Sequence, residues 1–200
     1  MTRTIGQAAT VSAPVRPRRM TVAEYQELIE SGIIDEKAPV VLIEGRIVGK
    51  MTKGTRHSAS VGKVKDAIAA ATGPGWVVRV EAPVVLPGRD SEPEPDVAVV
   101  RGVHDDYEGR DPEPADVALV VEVADSSLKA DRELSETYLG GGLSVYWIVN
   151  IPDRRLEVYR SGAEVEVLAE GQAVELALDG KLVARIAVVD LLPRRPKSLT

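Results

Sequence analysis

The chain has 200 residues, with 25 lysines and arginines against 31 aspartates and glutamates, a formal net charge of −6. A chain this acidic does not hold nucleic acid by bulk charge in the way a histone does. It has no cysteine and two histidines, which excludes disulfide scaffolds, thiol nucleophiles, Cys-ligated zinc and a three-histidine zinc site within one chain.

Residues 1–19 read as a basic tail carrying Arg3, Arg16, Arg18 and Arg19. They lack the ~7–15-residue apolar region of a secretory signal. No run in the chain reaches the ~18 apolar residues of a membrane span. The expectation is a soluble, cytoplasmic protein with no membrane partner. Thr21-Val-Ala-Glu24 has the spacing of a capping box, with Tyr25, Leu28 and Ile29 as the apolar stripe of the helix behind it. Val40–Val48 reads as a hairpin turning at Glu44-Gly45. From about His57 to Thr72 the period is helical, with Val61, Val64, Ile68 and Ala71 on one face.

Trp76–Val80 and Pro83–Leu86 read as strand with a proline interruption. Pro95–Val100 and Asp116–Val123 are short apolar runs, the form taken by strands covered on both faces. Leu128–Tyr138 reads as a helix that ends at Gly140-Gly141-Gly142. Val145–Val149 is another buried strand, and Arg155–Leu168 an alternating hairpin around Ser161-Gly162. Residues 193–200 form a second basic tail. The order gives an α/β (α+β) sandwich around a mixed sheet, one domain over residues 20–192 with an additional hairpin.

The acidity is local. Residues 81–116 hold eleven acids and three arginines, a net −8, which leaves the remainder at +2. Within this stretch Asp96 leads an apolar strand, and just beyond it Glu122 closes the next one. Ionised groups at such places cost several kcal/mol unless paired. A divalent cation would pair both, and with oxygen ligands it would be a hard ion such as Mg²⁺ or Mn²⁺. The plainer alternatives are that Asp96 caps a loop and Glu122 meets an arginine. Glu44 stands where an acid serves a turn, His57 where it serves a helix start, and Glu81 where it is a surface acid.

The segments Met20–Tyr25, Val41–Gly45, Lys53-Gly-Thr-Arg-His57, Ser91–Val97, Val120–Ser127, Asp131-Arg-Glu133 and Tyr146–Val149 follow one another in a recognisable order. In that order they resemble the Uma-two family of restriction endonuclease-like proteins, a branch of the PD-(D/E)XK nuclease superfamily. It implies a restriction-endonuclease-like core, a mixed central sheet flanked by helices. It also implies a Mg²⁺- or Mn²⁺-dependent endonuclease acting on DNA, with Asp96 and Glu122 as metal ligands, Glu44 as a further acid and His57 as an auxiliary group.

The chain departs from the pattern at the motif lysine, because the position two after Glu122 is Ala124. The lysine that such proteins supply from the following helix falls here on Leu134, and Lys129 is the nearest candidate on that helix. The departure leaves an alternative: a nuclease fold that binds nucleic acid or a protein partner without cutting. Contact with DNA is expected to be weak and salt-dependent, through Arg16, Arg18, Arg19, Lys50, Lys53, Arg56, Lys63 and Lys65. A homodimer is a further expectation, because double-strand cutting needs two sites and the 155–168 hairpin offers an edge strand.

Overall fold

In the computed structural model, which describes residues 18–195, the first helix starts as its sequence dictates. The Thr21 hydroxyl accepts the Glu24 amide and the Glu24 carboxylate accepts the Thr21 amide, closing the capping box of α1 (Val22–Glu30). Val22 and Tyr25 of α1 pack on Leu42 and Val85 as a small separate apolar cluster. Leu42 belongs to the hairpin β1 (Val40–Ile43) and β2 (Arg46–Gly49). Its turn residues Glu44 and Gly45 both take positive φ, 50° and 70°, as a two-residue hairpin turn requires. The basic positions read at the extreme ends, Arg3, Arg16 and Lys197, lie outside the described residues.

The main sheet has six strands in the order β3 (Trp76–Val80), β4 (Val97–Arg101), β5 (Val117–Ala124), β6 (Val145–Asn150), β7 (Arg155–Arg160) and β8 (Glu166–Ala169). Neighbours are antiparallel except β5 and β6, which are joined in parallel by the crossover helix α3 (Leu128–Gly140). Side chains alternate between the two faces, as pleated strands demand. Val97, Val99, Val121, Val123 and Trp147 face α2 (Thr55–Ala71), which presents Val61, Val64 and Ile68. Ala98, Val100, Val120 and Ile148 face the other way, toward Tyr138 of α3. Both faces are covered, which is why these strands read as unbroken apolar runs.

One expectation is corrected here. Pro83–Leu86 forms no strand and contributes only an isolated bridge from Leu86 to Ser91. The helix α3 ends at the glycine triplet as its sequence reads, running to Gly140 with Gly141 as its C-cap. The glycines serve close packing: a Cβ on Gly141 would lie 2.9 Å from the Thr137 carbonyl and 3.2 Å from the Leu86 side chain. Beyond β8, the hairpin β9 (Ala173–Leu178) and β10 (Lys181–Ala187), with the short helix α4 (Val188–Leu191), extends the core on the α2 side. Among the described residues no helix is long and apolar enough to cross a membrane.

Candidate active site

The pairing of β4 with β5 sets Val97 opposite Val121. Asp96 and Glu122 therefore meet at adjoining ends of the two strands. The main-chain amide of Asp96 donates to Glu122 Oε2 at 3.2 Å. The Asp96 carboxylate accepts the amide of Val123 on Oδ2 at 2.7 Å. Its other oxygen, Oδ1, accepts Lys53 Nζ at 2.7 Å and lies 3.1 Å from His57 Nε2. Glu122 Oε1 accepts the hydroxyl of Tyr138 at 2.9 Å.

His57 reaches this point by helical period. Counting back from Ile68, Val64 and Val61, the next position on the sheet-facing stripe of α2 is His57, in the first turn. The stripe that packs the helix on the sheet thus ends in an imidazole beside Asp96. Lys53 comes from the exposed segment just before the N-cap, Gly54. Its ammonium also donates to Glu81 Oε1 at 2.9 Å, at the end of β3.

The charges in this cluster are sharply differentiated. Burial opposes ionisation of Asp96, but the hydrogen bonds from His57 and Lys53 outweigh it and hold its carboxyl below the ordinary value. The hydrogen bond to Asp96 in turn raises His57 against the cost of burial. Burial pushes Glu122 well above the carboxylate range, and the nearby charges of Asp96 and Asp131 push it further. Asp131 is itself raised to about 6, chiefly by burial. Environment rather than residue type thus shifts Asp96 toward its ionised form and Glu122 toward its neutral one.

These residues line a cleft of about 890 Å³, together with Glu44, Lys50, Arg89, Asp125 and Asp131. Glu44 stands on its wall, accepting Arg89 Nε at 2.7 Å and Thr137 Oγ1 at 3.0 Å. The structure brings Asp96, Glu122, Glu44 and His57 to one cleft. It does not bring Lys129: that side chain is 93% exposed and its nearest acid is Glu133, at 4.0 Å on the same helix. The lysine at the acids is Lys53. Glu81, read as a surface acid, joins the cluster through it, and Tyr138 is the buried donor that orients Glu122. The Lys53-to-His57 segment held the signal for Lys53, since one turn of chain separates it from the imidazole. Nothing local in the sequence marked Tyr138.

The donor set suits a hard cation. His57, Glu81 and Asp96 each offer a ligand atom, all within 4.8 Å of one another, and two of the three are carboxylate oxygens. Of the basic residues expected at DNA, Lys50 and Lys53 line this cleft, whereas Lys63 lines a separate groove beside β10 and α4.

No curated protein matches the chain. A crystal structure described as "a putative nuclease belonging to DUF820 from Anabaena variabilis" superposes with a TM-score of 0.69 at 19% identity, covering 86% of this chain and 97% of that one. Its likeness extends to the fold. The sequence model of the Uma2 family, described as "Putative restriction endonuclease", matches residues 22–187, nearly the whole described chain, and the protein belongs to that family.

Proposed function

We propose that this protein is a Mg²⁺- or Mn²⁺-dependent endonuclease that hydrolyses DNA phosphodiester bonds in the cleft between α2, α3 and the β1–β2 hairpin. The observation that carries the reading is the buried Asp96 carboxylate, contacted by both Lys53 and His57 and joined through its own amide to Glu122. Asp96, with Glu81 and His57 or with Glu122, would hold the ion. Bound there, a divalent cation supplies an activated water and charge neutralisation at the phosphate. The chain's own groups do the rest. The Asp96 amide and the Tyr138 hydroxyl fix the Glu122 carboxyl at the cleft floor. Lys50 and Lys53 set positive charge on the wall where a phosphate would approach. Few cations line the cleft, so DNA binding is weak and falls with salt.

A second reading, a nuclease fold that binds without cutting, is favoured by one observation. Ala124 stands at the motif lysine, and Lys129, 93% exposed, is not among the residues that line the cleft. A plasmid-nicking assay in Mn²⁺ and in EDTA separates the two. The endonuclease reading expects metal-dependent nicking by wild type that both Asp96→Ala and Glu122→Ala abolish. Nicking that survives both substitutions, or a wild type that shifts DNA in a gel and never nicks it, rejects that reading.

A further inference from the structure

The cation position in this cluster is taken by a group of the chain itself. Lys53 Nζ lies 2.7 Å from Asp96 Oδ1 and 2.9 Å from Glu81 Oε1, and the same Asp96 oxygen lies 3.1 Å from His57 Nε2. Asp96 and Glu81, two of the three clustered groups, are therefore hydrogen-bonded to one ammonium. A divalent ion needs its oxygen ligands at ~2.0–2.6 Å, so an ion shared by Asp96 and Glu81 would claim the same space. Two cations also cannot share that space without strong mutual repulsion. Lys53 sits on an exposed segment, and its side chain is 34% exposed, on the wall of the open cleft. It has room to leave.

We propose that Lys53 is a tethered competitor for the divalent-cation site. Its ammonium holds Asp96 and Glu81 together when no ion is bound, and it swings into the cleft when an ion enters. The inference rests on the cation-site reading above and adds a cost of entry to it: each ion bound must displace a lysine. Displaced into the cleft, the ammonium faces the place where a phosphate would lie, so it serves a second use there rather than being lost to solvent.

Calorimetric titration of the metal-stripped full chain with MnCl₂ tests this. Lys53→Met and Lys53→Gln are expected to bind Mn²⁺ at least about tenfold more tightly than wild type, within the usual range of coupling between two ligands. Lys53→Arg, which keeps a cation at the end of a long side chain, stays near wild type. Lys50→Met is the charge control, because Lys50 lines the same cleft but pairs with Glu94 and touches neither Asp96 nor Glu81. It should change Mn²⁺ affinity by less than about threefold, as a screened surface charge does. Adding Glu81→Gln to Lys53→Met should reverse the gain. The proposal is overturned if the Lys53 variants bind no more tightly than wild type, or if Lys50→Met tightens binding equally. If wild type nicks DNA and binds Mn²⁺ as well as Lys53→Met does, the competition fails and the endonuclease reading stands. If no variant binds Mn²⁺, both fall together.

Discussion

Asp96 and Glu122 are joined by a hydrogen bond from the Asp96 amide to Glu122 Oε2, 3.2 Å long, while the Asp96 carboxylate takes the amide of Val123 one residue past Glu122. The two acids are thus stitched to each other's backbone across β4 and β5. Their carboxyl groups then diverge. That of Asp96 opens toward Lys53 and His57, and that of Glu122 is turned onto Tyr138. One strand pairing gives two acids whose ionisation is shifted in opposite directions.

Glu122→Gln follows from this arrangement. An amide can give its oxygen to the Asp96 N–H and its NH₂ to the Tyr138 oxygen, so the buried contacts survive. Because burial already disfavours a charge on Glu122, the variant should unfold in urea within about 1 kcal/mol of wild type. Glu122→Ala leaves the Asp96 amide and the Tyr138 hydroxyl unpaired and opens a cavity, and should lose about 2–4 kcal/mol. Under the endonuclease reading both variants stop nicking, so Glu122→Gln separates loss of chemistry from loss of fold.

Arg132→Met tests a polar network on the α3 face of the sheet, away from the Asp96 cluster. Glu157 is buried and accepts Arg132 at 2.9 and 2.6 Å, Asn150 at 3.1 Å and the Tyr159 hydroxyl at 2.9 Å. Burial opposes its charge, but these bonds hold its carboxyl below the ordinary value. Breaking a buried pair costs ~3–5 kcal/mol, and the Arg132 side chain is 50% exposed, so about 2 kcal/mol is expected. A depressed carboxyl contributes stability above its unfolded value and loses it as pH falls. The variant should therefore show a shallower loss of stability below pH 4.5 than wild type in acid titration. Mn²⁺ affinity should not change.

Much of this fold was legible in the sequence. The capping box at Thr21, the turn at Glu44-Gly45 and the apolar runs of β4, β5 and β6 each have a local cause, and each formed. Pro83–Leu86 misled because its apolar residues pack without a strand partner. The glycine triplet marked the end of α3, where Leu86 and the Thr137 carbonyl also limit what can pack. In the site, Asp96, Glu122 and His57 were visible as polar residues at the ends of apolar patterns. Lys53 was visible as a basic residue, but the side chain it would meet was not. Its partners lie 28 and 43 positions away, and only the sheet brings them together.

Gly45→Ala probes the turn that carries Glu44. Gly45 has φ +70°, and a Cβ there would stand 2.5 Å from the Arg19 Cβ and 3.0 Å from the Met20 carbonyl. Met20 also donates its amide to the Gly45 carbonyl at 2.9 Å, so the segment cannot simply move aside. A loss of about 1–3 kcal/mol is expected in urea unfolding, from backbone strain and contact together. Gly162→Ala is the contrast: φ is +73°, but nothing lies within 4 Å of its Cβ. It should cost about 1 kcal/mol, the conformational part alone.

Glu92 predicts a pH dependence that belongs to the fold rather than to the site. It lies between α1 and the β1–β2 hairpin, buried, with its carboxylate accepting Gln26 Nε2 at 2.8 Å. Burial raises its carboxyl to about 7, against the pull of that hydrogen bond, with Asp111 and Glu94 adding to the rise. A raised carboxyl binds its proton more tightly in the folded chain than in the unfolded one. Folding is therefore favoured while the group is protonated in both states, and stability declines as pH climbs from about 4.5 toward 7. Above that the penalty is constant, at about 3 kcal/mol for a shift of this size. Glu92→Gln keeps an oxygen for Gln26 and carries no proton to lose. Thermal unfolding between pH 4.5 and 8 should show the variant gaining on wild type steadily up to about pH 7 and then running parallel. Equal slopes for the two proteins over that interval would show that Glu92 titrates as a solvated acid.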